Sequence, residues 1–275
     1  MFIDLLKAAL YGVVQGITEW LPVSSTGHML LLEDYIAPGV SGNFMEMFRV
    51  LIQLGSILAV VVLYFTRLVP FMPSATKPER RSRWLLWAKI LVACVPAGVL
   101  GVLFDDWFDE HFYNSITVAA ALIIYGAAFI IIELWRKKRP PVREAATAEA
   151  ITFREAFIVG CFQVLSLVPG TSRSGSTVIG GMLCGMSRSA AAEFSFFLAI
   201  PVMFGASLVK LVKFGFDFTG AEIAVLLCGM VVAFAVSCAA IRFLVGFVKK
   251  HSFSSFGWYR IALGALVLLK FALAR

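Results

Sequence analysis

Residues 5–35 read LLKAALYGVVQGITEWLPVSSTGHMLLLEDY. Both ends are apolar, but the middle carries Pro22, Ser24, Ser25, Thr26 and Gly27. Proline removes a helical hydrogen bond and clashes with the preceding turn, while Ser and Thr draw the backbone toward caps and turns. Neither apolar half reaches the ~20 residues needed to cross a hydrocarbon core. The spacing therefore predicts helix–break–helix, a re-entrant hairpin with a polar tip.

A second stretch has the same design. Residues 156–186 read AFIVGCFQVLSLVPGTSRSGSTVIGGMLCGM. At a constant offset of 148 residues, Gly12 stands opposite Gly160, Gln15 opposite Gln163, Ser24 opposite Ser172 and Gly27 opposite Gly175. Thr18 faces Ser166 and Thr26 faces Ser174, while Pro22 and Pro169 differ by one place.

Around these two stretches lie six apolar runs long enough to span, near residues 48–65, 84–104, 115–135, 190–212, 223–248 and 256–273. The expected fold is all-α and polytopic, one membrane domain over 1–275, with repeat one at 1–140 and repeat two at 150–275. Each repeat is a broken hairpin followed by three spans. A hairpin returns to its own side and three spans change sides, so the second hairpin is expected to enter from the opposite face, an inverted-topology repeat.

Composition agrees with lipid as the solvent. Of 275 residues, 60% are hydrophobic and 15% charged. The net charge of +7 does not indicate nucleic acid, because Lys and Arg cluster in short loops beside apolar runs. Arg67, Lys77, Arg80, Arg81 and Arg83 follow the first span, and Arg136, Lys137, Lys138, Arg139, Arg143 and Arg154 follow the third. Between them, residues 105–114 hold four acids and no Lys or Arg. The positive-inside rule makes the basic loops cytoplasmic and the acidic one external. Lys249 and Lys250 agree, whereas Lys210 and Lys213 do not. No cleavable signal peptide is apparent, since the first apolar stretch runs into Gln15 and Glu19. The five cysteines all fall in apolar segments and read as buried, inert thiols.

The tips hold the chemistry. Hydroxyl residues after a proline and before an apolar run are good N-caps, so each tip aims backbone N–H groups and a positive helix end at one point, an anion site. Ser24, Thr26 and Ser176 also suit plain helix packing, as do the Gly12–Gly16 and Gly181–Gly185 spacings. Glu19, His28 and Arg173 are costly at membrane depth and mark a functional centre, although Glu19 and Arg173 can also form a structural pair. Arg173 offers a planar fork for phosphate oxygens. Ser25 can attack phosphorus if a base takes its proton, and His28 lies one helical turn on. Glu19 can hold a cation or act as the base. Glu193 and Gln53, in neighbouring spans, either orient the site or join helices. His111 and His251 read as surface residues.

GITEWLPVSSTGH and PGTSRSGST resemble the two signature motifs of the undecaprenyl pyrophosphate phosphatase, or bacitracin-resistance, family. The likeness extends through IQLGSILAVV and AAEFSFFLAIPVMFGAS to nearly the whole chain. It implies a bacterial inner-membrane enzyme that converts undecaprenyl diphosphate to undecaprenyl phosphate and inorganic phosphate, aided by Mg²⁺ or Ca²⁺. It implies a serine nucleophile and histidine at Ser25 and His28, and an acidic motif at Glu19 and Gln15 that can hold the metal. The phosphate-binding arginine falls on Arg173, with Ser172, Ser174 and Thr177 beside it, and Ser24 and Thr26 flank the nucleophile. Gln15 departs from the family, where a second glutamate often stands. A lipid carrier spent outside would need an active site opening to the outer side, where the loop charges put the first hairpin. The alternative class is a lipid-phosphate flippase or transporter using the same anion site, with a channel as a third. Ser25 or a water can be the attacking group. Oligomeric state is open, with a homodimer as one option.

Overall fold

Each proline-bearing stretch separates two short helices. The computed structural model describes residues 1–33, 36, 39–141, 144–215 and 218–273. Tyr35 and Arg143 lie outside the described residues, as do the side chains of Asp105, Asp106 and Asp109. In chain order the helices are α1 (Phe2–Thr18), α2 (Ser25–Glu33), α3 (Gly42–Leu63), α4 (Phe65–Leu68), α5 (Lys77–Phe112), α6 (Ser115–Lys138), α7 (Phe153–Val164), α8 (Arg173–Leu183), α9 (Arg188–Phe214), α10 (Gly220–Val248) and α11 (Ser254–Leu273). Single 3₁₀ turns occur at Ala148–Ala150 and Leu165–Leu167. Among the described residues no strand forms, and six helices (α3, α5, α6, α9, α10 and α11) are long and apolar enough to cross a membrane. They match the six predicted runs.

Caps explain where several helices start. Ser41 and Asn114 accept from Phe44 N and Thr117 N at the heads of α3 and α6. Thr152 with Glu155 and Thr219 with Glu222 form reciprocal capping boxes for α7 and α10. The sequence reading places loops on both sides of the second span, yet α5 continues through them. Thr76 Oγ1 and the Glu79 carboxylate bond each other's backbone N–H at its head, so the basic stretch from Lys77 is already helical. At 36 residues α5 is roughly 54 Å long, well beyond a hydrocarbon core. Hydropathy marks where lipid ends, and the helix ends elsewhere.

The two halves pack through exchanged elements. α1, from the first half, lies against α10 of the second, and α7 lies against α5 of the first. α3 pairs with α9, and α6 with α11. Glycine makes the exchange geometrically feasible. A Cβ at Gly12 would stand 2.6 Å from Gly229 O, and one at Gly160 would overlap Ala93 O. Each broken stretch is also tied near its end. Gly39 N donates to Asp4 Oδ1 at 2.9 Å, and the second hairpin's exit is tied to the loop before it by Ala145 N to Gly185 O at 3.0 Å.

The cysteines are free, but Cys161 is exposed and the other four are half-buried rather than buried. A spanning helix turns apolar residues toward lipid as readily as toward protein, so an apolar neighbourhood in sequence does not imply burial inside the molecule.

Candidate active site

Ser24 and Ser172, opposite each other in the repeat, are the only non-glycine residues with positive φ among those described, at 73° and 71°. Left-handed backbone is unfavourable for an L-residue with a Cβ, and such strain is held where surrounding structure demands it. Both serines cap the helix that follows. Ser24 Oγ accepts from Gly27 N at 3.3 Å, and Ser172 Oγ accepts from Gly175 N at 3.1 Å. The caps predicted from the hydroxyl runs form, and they turn α2 and α8 at the same residue of each copy.

The tips meet at Glu19. Arg173 Nη2 donates to Glu19 Oε1 at 3.1 Å, with both side chains less than a tenth exposed. Gln15 Nε2 donates to Glu19 Oε2 at 2.9 Å, and Ser25 Oγ lies 3.5 Å from that same oxygen. Ser174 Oγ donates to the Glu19 carbonyl at 3.0 Å, a second bond between the tips. Removing two charges from water is expensive, so a pair buried this deeply is poor value for stability alone.

Arg173 is held from behind by α9. Its Nη1 donates to Ser195 O at 2.9 Å, and Thr177 Oγ1 sits 2.7 Å from Ser195 Oγ. Ser172 Oγ and Ser174 Oγ are 3.1 Å apart. Trp20 packs edge-on against Phe196, anchoring the first tip to the same helix. Thr26 is half-buried and makes no side-chain bond to either tip among the described residues.

His28 takes a different place. Its Nδ1 is 2.7 Å from Ser24 O and its Nε2 is 2.7 Å from Tyr259 OH, with the two rings stacked 5.6 Å apart. A carbonyl only accepts, so Nδ1 carries a proton and donates to it, while Nε2 shares a hydrogen bond with the Tyr259 hydroxyl. Among the described residues, the side-chain group within hydrogen-bond reach of Ser25 Oγ is the Glu19 carboxylate, at 3.5 Å. Glu193 pairs with Arg67 at 2.9 Å, and Gln53 is half-buried on α3. His111 and His251 are exposed, as surface residues should be.

Reading the sequence did not single out Ser195, Tyr259 or Arg260. Arg260 had a signal, a lone charge inside an apolar span. It is fully buried and donates to Pro22 O, Gly170 O and Thr171 O. Ser195 and Tyr259 had none, because a serine or tyrosine in a membrane helix is ordinary.

No cluster of three or more His, Cys, Asp or Glu side chains stands ready for a metal among the described residues. The donor set suits a divalent cation only if it shares phosphate oxygens with a substrate. Glu19 then supplies the one carboxylate and the Gln15 amide oxygen a neutral ligand.

The molecule is a polytopic helical membrane protein in which two broken-helix tips build one buried centre of acid, hydroxyl and guanidinium. The chain belongs to the family described as bacitracin resistance protein BacA, whose model matches residues 8–266. It is 53% identical to an undecaprenyl-diphosphatase of Enterococcus faecalis over 98% of both chains. Proteins of that same name from Acetivibrio thermocellus and Desulfitobacterium hafniense are 54% and 55% identical. They cover 99% and 98% of this chain and 100% and 97% of their own.

Proposed function

We propose that this chain is an undecaprenyl-diphosphate phosphatase, releasing inorganic phosphate from the lipid diphosphate and returning the monophosphate carrier to cell-wall synthesis. The observation that carries the reading is the meeting of Ser25, Glu19 and Arg173 across the two tips. A carboxylate within bonding reach of both a nucleophile and a phosphate-matching fork supplies parts that phosphoryl transfer requires. Membership of the family and the names of its relatives support the substrate.

In the resting centre Arg173 and Glu19 satisfy each other. A diphosphate arriving between the tips offers Arg173 a better, more highly charged partner, and Glu19 is released toward Ser25. Ser25 Oγ then attacks the terminal phosphorus as its proton passes to Glu19. The Oγ–P bond forms and the bridging P–O bond breaks, so undecaprenyl phosphate departs. Glu19 passes that proton to the departing lipid phosphate, then takes one from the attacking water and returns it to Ser25 Oγ as the phosphoserine is cleaved and phosphate is freed. His28, bonded by both ring nitrogens, orients the start of α2 and is not the base. Lipid phosphate is a good leaving group, so the burden falls on positioning and charge. Mg²⁺ or Ca²⁺, resting on Glu19 and the Gln15 amide oxygen, would add positive charge against the phosphates.

The halves form an inverted-topology repeat, with the first hairpin re-entering from the outer face and the second from the cytoplasm. The exchanged packing of α1 with α10 and α7 with α5 supports it. The enzyme works in the inner membrane with its site open to the outside, and removing diphosphate there would confer bacitracin resistance. Nucleic acid has no part in this reading.

Pure protein in detergent should release phosphate from undecaprenyl diphosphate. Intact wild type that binds the lipid yet releases none would replace the phosphatase with a transporter. Cysteines placed at Arg80 and Arg139 should resist impermeant thiol reagents in whole cells while one at Asp109 reacts; the reverse would invert the topology.

A further inference from the structure

Burying a guanidinium is costly, and a carboxylate usually balances it. Arg260 on α11 is fully buried, and no described carboxylate lies within ion-pair distance. Its partners are backbone carbonyls. Nη1 donates to Pro22 O at 3.2 Å, and Nη2 donates to Gly170 O at 2.9 Å and Thr171 O at 3.0 Å. The guanidinium also lies over the Tyr125 ring, 5.6 Å from its centroid. Pro22 belongs to the break between α1 and α2, and Gly170 and Thr171 to the break between α7 and α8. These are carbonyls that the breaks leave outside α-helical pairing, and lipid offers them no water. One rigid, planar group thus spans both tips.

We propose that Arg260 is a positioning residue that sets the distance between the tips, and so between Ser25 with Glu19 on one and Arg173 on the other. The inference rests on the phosphatase reading of that centre. Three features favour a spacer over a simple filler of carbonyls. The fork is the only side chain type that can reach both breaks at once with fixed geometry. Both partner loops lie within three residues of a site residue, Pro22 of Ser25 and Gly170 with Thr171 of Arg173. A misplacement of about 1 Å between reacting groups can cost about a hundredfold in rate. Binding energy from the lipid tail is untouched by such a shift, so turnover suffers and affinity does not.

The test compares Arg260→Lys and Arg260→Gln with wild type, all purified in detergent and monodisperse. Lysine keeps the charge but reaches one break at a time, and glutamine keeps donors without charge. For both, kcat should fall by about a hundredfold while KM stays within about threefold. Combined with Arg173→Lys, either should cost little more than Arg173→Lys alone, because positioning matters only while the positioned contact exists. Amide exchange at residues 20–24 and 169–173 should quicken with the rest of the chain unchanged, and this reads the tie even if wild type released no phosphate. An active wild type with normal kcat in both variants, a loss confined to KM, full additivity with Arg173→Lys, or exchange that is unchanged or rises everywhere would each overturn the proposal. A wild type that binds substrate without releasing phosphate would sink the phosphatase reading instead, and exchange would still decide whether Arg260 joins the tips.

Discussion

Ser24 and Ser172 share a positive φ and cap their helices through the same bond, yet the side chains around them differ at almost every chemical position. Opposite Glu19 stands Leu167, opposite Ser25 stands Arg173, and opposite His28 stands Ser176. Even the shared glutamines diverge. Gln15 donates to Glu19, whereas Gln163, with leucine four residues on, is fully buried with no partner for its amide among the described residues. The two stretches share a backbone turn and a cap but carry different chemical groups. Glu19 and Ser25 sit on one tip and Arg173 on the other, so in the proposed reaction neither tip would suffice alone. The centre exists only across the contact between halves.

That division can be broken in graded steps. The largest effect should come from Ser25→Ala, which removes the proposed attacking atom: phosphate release should fall by about a thousandfold or more while lipid diphosphate binding persists. Stopped-turnover mass spectrometry of wild type should show phosphate on Ser25. A loss of only about tenfold with no adduct would hand the attack to water, leaving serine to position it.

Next in size is the cation. Arg173→Lys keeps a charge but loses the fork that spans phosphate, and should cost about 3 kcal/mol, roughly a hundredfold in kcat. Turnover close to wild type would reduce the buried pair with Glu19 to a structural one.

His28→Ala should matter less, about tenfold, because the ring touches Ser24 and Tyr259 rather than the nucleophile. The loss should be uniform from pH 6 to pH 9, roughly the range over which a missing base would be replaced by hydroxide. Activity that recovered as pH rose would restore the histidine to the base's role.

The smallest effect separates the two glutamines. Gln163→Leu removes a buried amide with no described partner and should leave activity within about twofold, with stability unchanged or slightly raised in a thermal melt. Gln15→Leu, which strips a donor from Glu19, should cost more. Equal losses would mean the two copies are chemically alike after all.

Much of this fold was legible in the chain. Six runs of apolar residues announce six crossings, and two prolines followed by hydroxyls announce two breaks, because burial in lipid and helix capping are both local properties. The caps at Ser24 and Ser172 form as their positions predict. Glu19 and Arg173 stood out as charges too costly to keep at depth without purpose, and they do meet. The extent of α5 was not legible, since a helix can outrun the lipid that surrounds it.

What the sequence determined by itself was therefore the number of crossings, the place of each break and the kinds of group at each tip. Only the tertiary structure decided their pairings. Sequence spacing put His28 on the face of Ser25, but the ring is drawn off to Tyr259, 231 residues away in the chain. The carboxylate beside Ser25 comes from the other side of the break, and the clamp that joins both breaks comes from Arg260, 238 residues beyond Pro22. Hydropathy and capping act over a few residues. Which polar groups share a dry interior depends on how helices from opposite halves pack, and each buried donor takes the acceptor that packing leaves within reach.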